Sequence, residues 1–260
     1  MSETIEYVYC VVPATLPLNG VPRGIDREAV RLVAHADIAA LVSSLDAGEY
    51  SGDKPAERMD DPEWLTPRAV THDALVMWAG DRGAVVPFPM WVMFSDQAGV
   101  TDMLAGKAAD FRDTLDRVSG AKEFGVRVSG DQVSLAAAAE KMDSALAVLE
   151  QQASVAPPGQ AYLLRRKLAD ARKAATRDAA VRIVEQTHDA LSSRSRASIA
   201  RATALANEPG VLLDGAYLVA DEEYEPFRTV LTEIIATYEP AGMRIDFTGP
   251  WPPYHFVRDN

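Results

Sequence analysis

The run Tyr7-Val8-Tyr9-Cys10-Val11-Val12 is apolar, β-branched and aromatic, and Pro13 ends it, which is the pattern of a buried strand. Ala29–Val33 alternates loosely and Ile38–Val42 follows within a few residues, predicting a second and a third strand joined by a hairpin near Ala36-Asp37. Residues 46–62 are rich in Asp, Gly and Pro and read as a polar, mobile loop. From Pro62 to Gly80 the apolar positions Trp64, Leu65, Val70, Leu75, Val76 and Trp78 fall at helical spacing. Ala84–Phe94 reads as one strand. Its prolines at 87 and 89 donate no ladder bonds, so that end belongs at an edge or a bulge. Ser95 and Asp96 are good N-caps for a helix carrying Val100, Met103, Leu104, Phe111, Leu115 and Val118, which Gly120 ends.

A second unit begins there. Lys122–Gly130 alternates as a strand, and Asp131 can cap a helix carrying Leu135, Met142, Leu146 and Leu149, broken at Ala156-Pro157-Pro158-Gly159. A long helix follows from about Gln160 to Leu191. Gly210–Ala220 is a strand after the turn Asn207–Gly210, with Arg196–Leu205 as its hairpin partner, although its alanine content equally allows a helix. Tyr224–Tyr238 is an amphipathic helix, and Met243–Thr248 is the last strand before a proline-aromatic tail. The order predicts an α+β fold of two domains. Residues 1–120 form an N-terminal α+β domain, and residues 121–260 form a C-terminal ferredoxin-like domain with an added long helix and a tail at 249–260.

Charge refines this picture. The 260 residues carry a formal net charge of −12. Residues 1–120 hold 10 basic and 19 acidic side chains, whereas residues 165–201 hold ten basic and four acidic ones. Net acidity argues against an electrostatic nucleic-acid binder. The basic helix suits an acidic partner, the acidic part of its own chain, or simply solvent with i,i+4 ion pairs. The single cysteine, Cys10, excludes a disulfide framework and a multi-cysteine zinc site. No segment has the length of a membrane span, and the acidic start Met1–Glu6 lacks an apolar secretory core, so the cytoplasm is the expected location.

Chemistry-bearing patterns are sparse. The four histidines form no metal-ligand spacing, and neither phosphate-binding glycine loops nor a nucleophile elbow occurs. His72 can be read as a general base or ligand, or as a capping or packing residue; His188 reads as a satisfied core histidine. Cys10 sits in an apolar strand as inert packing, and Asp60, Asp61 and Glu63 read as a solvated loop rather than a cation site. No catalytic, cofactor-binding or metal-binding residue is nominated, and no cofactor is expected. The most biased segment is Gly249-Pro250-Trp251-Pro252-Pro253-Tyr254-His255-Phe256-Val257: three prolines stiffen it, and its aromatics offer apolar area. It serves as a strap on its own domain, as a recognition segment, or as both.

Phe247–Val257 resembles the T-G-P-W-P-P-Y-x-F ending of the gas vesicle protein F/L (GvpF/GvpL) family. Tyr7-Val8-Tyr9, Asp37–Ser43, His72-Asp73-Ala74-Leu75, Glu123–Val128 and Asp214–Val219 resemble further blocks of that family in the same order. One block departs: Val85-Val86-Pro87 and Phe94 fit, but Pro89, Met90 and Trp91 stand where Arg, Phe and Gly are usual, and Cys10 replaces a common Gly. The resemblance implies a cytoplasmic, non-enzymatic gas vesicle accessory protein that acts in assembly. Its partners would be the gas vesicle shell protein, other gas vesicle accessory proteins, or both. It also implies two α+β domains, the second ferredoxin-like. Two alternatives stay open: a minor structural component of the finished vesicle shell, and a small-molecule-binding α+β barrel protein with a pocket near His72 or His188. Three candidate surfaces follow. They are the edge strand with Pro87, Phe88, Trp91 and Phe94, the basic face with Arg165, Arg166 and Arg172, and the tail with Gly249, Pro250, Trp251, Pro252, Pro253, Tyr254 and Phe256.

Overall fold

The computed structural model describes residues 3–201 and 210–257. The chain divides into two compact units, Met1–Glu123 together with Pro250–Asn260, and Phe124–Gly249.

In the first unit, β1 (Thr4–Pro13), β2 (Val30–His35) and β3 (Ile38–Asp46) precede two single-turn helices, α1 (Ala47–Tyr50) and α2 (Lys54–Glu57). Then come α3 (Pro62–Gly80), β4 (Val86–Pro87), β5 (Met93–Phe94), α4 (Gln97–Gly106) and α5 (Ala108–Val118). The sheet order is β2-β3-β1-β4, with β5 also pairing β1. The β2–β3 hairpin turns where expected, at Ala36-Asp37, with Ala36 left-handed at φ 54°. The sheet is covered on both faces. Tyr7, Tyr9, Cys10 and Val12 pack toward α3, while Val8 and Val11 pack toward α4 and α5. A bulge between Val8 and Cys10 lets Tyr9 and Cys10 share one face. That double burial explains why β1 reads as an unbroken apolar run.

The structure corrects three expectations here. The 46–62 stretch is not plain loop, because Asp46 caps α1 through the Gly48 N–H. The predicted strand Ala84–Phe94 is two short strands flanking an irregular 88–92 segment. The helix expected after Asp96 breaks at Lys107 into α4 and α5.

In the second unit, β6 (Ala121–Ser129) leads to α6 (Gln132–Met142), α7 (Ser144–Val155) and the 35-residue α8 (Pro158–Ser192). They are followed by β7 (Ala197–Arg201), β8 (Val211–Ala220), α9 (Tyr224–Tyr238) and β9 (Arg244–Trp251). The helix predicted from Asp131 is two helices, because Asp143 ends α6 and caps α7. Of the expected hairpin partner Arg196–Leu205, Ala197–Arg201 is a strand, Arg196 precedes it with its N–H on the Leu218 carbonyl, and residues 202–205, like most of the turn Asn207–Gly210, lie outside the described residues. The sheet order β7-β8-β6-β9 is, in the order of these four strands along the chain, 2-3-1-4, the ferredoxin-like arrangement expected from the sequence. Phe124, Val126, Val128, Leu213, Tyr217 and Phe227 form its core, and Ala139, Leu146, Leu168, Ala175 and Ala179 join α6, α7 and α8. His188 is the satisfied histidine expected: its Nδ1 lies 3.1 Å from the Tyr217 hydroxyl.

Gly215 is a packing requirement, since a Cβ there would lie 2.6 Å from the Tyr217 hydroxyl. Gly215→Ala should therefore destabilise the protein by about 1–3 kcal/mol through overpacking. Thermal unfolding checks this, and an unchanged melting temperature would contradict it.

Candidate docking groove

His72 sits in the middle of α3, buried against β1. Its Nε2–H donates to the Phe88 carbonyl at 3.0 Å, which leaves Nδ1 to accept from the Tyr7 hydroxyl at 2.9 Å. The Tyr7 oxygen in turn accepts the Trp91 N–H at 3.3 Å. One imidazole thus holds both ends of the irregular 88–92 segment. Burial pushes the His72 pKa below its ordinary value, which keeps the ring neutral. Of the two readings of His72, the geometry is that of packing and positioning.

The pinned segment forms one wall of a groove of about 580 Å³. Val86, Pro87, Phe88, Pro89, Val92 and Phe94 line that wall; Met103, Lys107, Asp110, Phe111 and Thr114 of α4 and α5 line the other, and Val257 closes one end. The lining is mostly apolar; its charged residues Lys107 and Asp110 are exposed, and Thr114 is buried among the apolar ones. Val8 N–H donates to the Val92 carbonyl at 2.9 Å and Phe88 N–H to the Tyr9 carbonyl at 3.0 Å, so the segment stays tied to β1 on its inner side.

Trp91 does not face this groove. It packs in the cluster on the α3 side of the sheet, stacked on Trp64 at 5.1 Å and 12° and on Tyr50 at 6.3 Å and 25°. The Arg68 guanidinium lies 4.6 Å from the Trp64 ring centre and bonds Asp26 at 2.7 Å. Trp91 is left-handed at φ 71°, a conformation that glycine adopts without strain. This accounts for the glycine usual at this position in the family pattern that the sequence resembles. Here aromatic stacking holds a tryptophan in the same backbone conformation.

The tail from Pro250 onward belongs to the first unit, which corrects its expected place in the C-terminal domain. The cause is a set of specific anchors. Both oxygens of the buried Glu123 carboxylate accept from His255, one from its backbone N–H at 2.9 Å and one from ring Nδ1. The Phe256 ring is buried and its carbonyl accepts from Arg117 at 2.9 Å, and the Tyr254 hydroxyl donates to Asp73 at 3.1 Å. Pro250, Trp251, Pro252 and Pro253 line a small cleft with Met77, Gly80 and Val85. Trp251 is 44% exposed, so Pro252, Pro253 and Phe256 carry the packing that its size alone suggested for it. Gly249, at φ 111°, closes the second unit's share of β9.

The structure thus brings Pro87, Phe88 and Phe94 together at the groove and carries the tail to it through Val257. Trp91 supports the groove wall from the opposite face of the sheet. Arg165, Arg166 and Arg172 lie on α8 in the second unit; the first two are exposed, and Arg172 bonds Glu140 at 3.1 Å and Glu150 at 3.2 Å. Sequence reasoning placed Met103 and Phe111 on an apolar helix face but did not separate groove from core. It missed the Glu123–His255 pair, because Glu123 stands at the outward parity of a strand whose inward residues are Phe124, Val126 and Val128. Cys10 is fully buried, which raises its thiol pKa well out of the reactive range. Asp61 caps α3 through the Glu63 and Trp64 N–H groups. Among the described residues no group of three His, Cys, Asp or Glu could hold a metal ion, and no helix is long and apolar enough to cross a membrane.

Two predictions follow from this geometry. Trp91→Ala should cost about 2–3 kcal/mol in lost packing. Trp91→Gly should cost about 1 kcal/mol less than Trp91→Ala, because glycine relieves the left-handed backbone. Denaturant titration of both variants checks the order, and a more stable alanine variant contradicts it. His72, with its folded pKa depressed, contributes stability that is complete above the ordinary histidine value of about 6.5 and is lost as pH falls below it. The melting-temperature gap between the parent chain and His72→Gln should therefore shrink as pH falls from about 7.5 to about 5. A gap independent of pH contradicts the assignment.

Comparison with known proteins agrees over nearly the whole chain. Gas vesicle protein L of Streptomyces sp. (strain CB03234) is 28% identical over 264 residues, covering 98% of this chain and 94% of that protein. Gas vesicle protein L2 of Halobacterium salinarum is 29% identical over 269 residues, covering 97% and 91%. The crystal structures of GvpF from Anabaena sp. PCC7120 and from Microcystis aeruginosa share the fold, with TM-scores of 0.72 and 0.68, each at 15% identity. The first covers 99% of both chains, the second 99% of this chain and all of the other. The pattern of the family described as "Gas vesicle synthesis protein GvpL/GvpF" matches residues 6–258, and the chain belongs to that family.

Proposed function

We propose that this protein is a non-enzymatic, cytoplasmic adaptor in gas vesicle assembly, which holds a hydrophobic gas vesicle shell subunit in the groove beside β4 and β5. The observation that carries this reading is the groove itself: a mostly apolar lining whose charged residues are the exposed Lys107 and Asp110, set at a sheet edge and tied to His72 through Phe88. An apolar shell subunit left unpartnered exposes surface that aggregates, and a groove of this kind shields it until it is delivered. The charge of the first unit fits a partner with basic flanks, since residues 1–123 and 250–260 hold 12 basic and 21 acidic side chains. The tail acts as a strap that fixes the end of the groove at Val257. The α8 face with Arg165 and Arg166 is a second surface, suited to acidic accessory proteins.

Co-expression of the tagged chain with the shell protein, followed by capture and mass spectrometry, tests this. The shell subunit should be recovered with the parent chain and reduced at least about tenfold with Met103→Glu, a change of about 1.4 kcal/mol. Arg165→Glu should leave shell recovery unchanged. Recovery of accessory proteins alone, or shell recovery indifferent to Met103→Glu in a folded variant, contradicts the assigned surface.

A further inference from the structure

Resting on the docking role proposed above, we infer that the segment seated in the groove is an amphipathic α-helix with basic flanks, and not an added β-strand. The reason lies in the edge. Phe88 directs its N–H inward to the Tyr9 carbonyl at 3.0 Å. Backbone groups alternate sides along a strand, so the outward positions on either side of Phe88 are 87 and 89. Both are proline, and neither has an N–H to offer. At 91 the backbone is left-handed at φ 71° and its N–H is already taken by the Tyr7 hydroxyl, so the strand geometry ends there. β4 and β5 contribute only two residues each to the ladder. A strand laid along this edge would meet carbonyls without matching donors and would leave its own acceptors unpaired, which a buried interface does not tolerate.

A helix satisfies its backbone internally and asks the groove only for apolar contact. Phe88, Val92, Phe94, Met103 and Phe111 supply that contact. Thr114 is the single buried polar side chain among the lining residues, and the charged ones, Lys107 and Asp110, are exposed, so the groove does not present the convergent polar groups that orient a small molecule. Charge then selects among helices. Asp110 and Lys107 line the groove, and Asp113 and Asp116 lie exposed on the same short helix; its basic residues are engaged, Arg112 with Asp37 and Arg117 with the Phe256 carbonyl, and the unit around them holds 12 basic and 21 acidic side chains. A helix with Lys or Arg beside its apolar stripe is attracted, and one flanked by Glu is repelled.

The test uses the full chain and labelled peptides of about 18 residues, or five helical turns. One has a Leu stripe with a Lys polar face and one the same stripe with Glu. A third is an alternating Val/Lys strand, and a fourth shuffles the first so that the stripe is lost. Fluorescence anisotropy should show the Leu/Lys helix binding at least about tenfold more tightly than each of the others at low salt, where surface charge is least screened. Met103→Glu and Val257→Asp should each weaken it severalfold, and Asp110→Lys should narrow the gap between the Lys and Glu helices. Circular dichroism confirms that each variant is folded. Equal or tighter binding of the strand peptide, or of the Leu/Glu helix, overturns the inference, as does Leu/Lys binding indifferent to both Met103→Glu and Val257→Asp. If the peptides fail while the shell subunit is still captured through Met103, the helix inference falls and the docking role stands. If shell capture fails as well, both fall.

Discussion

One buried imidazole anchors the segment that forms one wall of the groove. His72 has two ring nitrogens and uses both on the same segment, directly at Phe88 and through the Tyr7 hydroxyl at Trp91. A neutral ring is required, because one nitrogen must donate to a carbonyl while the other accepts from a hydroxyl. Burial between α3 and β1 supplies that neutrality. With the ends fixed, Phe88 and Val92 turn toward α4 and α5, where the Phe88 ring meets that of Phe111 at 5.9 Å between centroids, while Trp91 turns to the opposite face of the sheet. The bridge acts together with the backbone bonds from Phe88 and Val92 to β1. Stacking on Trp64 and Tyr50 offsets the strain but does not choose the direction of the turn.

Much of the architecture is written in local patterning. β1 is legible because both of its faces are buried, so its apolar run has no gaps. α3 is legible from helical spacing and the Asp61 cap, and the strand order of the second unit follows from chain order once its strands are recognised. What escapes local reading depends on distant partners. The stretch Ala84–Phe94 reads as one strand because its residues all favour extended structure, yet the break within it is imposed by His72 and Tyr7. The breaks at Lys107 and Asp143 carry local signals, Gly106 ending α4 and Asp143 capping α7, which the longer apolar periodicity across them conceals.

The tail shows the same limit. Its proline content announces stiffness and its aromatics announce burial, and the family resemblance rests largely on it. Which unit it joins is decided by Glu123 and Arg117, neither of which signals the contact in sequence. Trp251, the largest side chain of the motif, is the one left substantially exposed, while Phe256 and the adjoining prolines are buried. Of the candidate surfaces named from sequence, the edge strand becomes the wall of a groove and the tail becomes its support. Arg172 is occupied by Glu140 and Glu150 within the second unit. Family membership is shown by sequence and the fold is shared with solved GvpF structures, while the mostly apolar groove is what the proposed docking role rests on.

Hydrogen–deuterium exchange on the full chain, free and in complex with co-expressed shell protein, tests that central claim most directly. The account predicts that protection on complex formation concentrates in residues 86–94 and 103–114, the two walls of the groove. Protection confined to α8, with the groove walls exchanging as in the free chain, would contradict it.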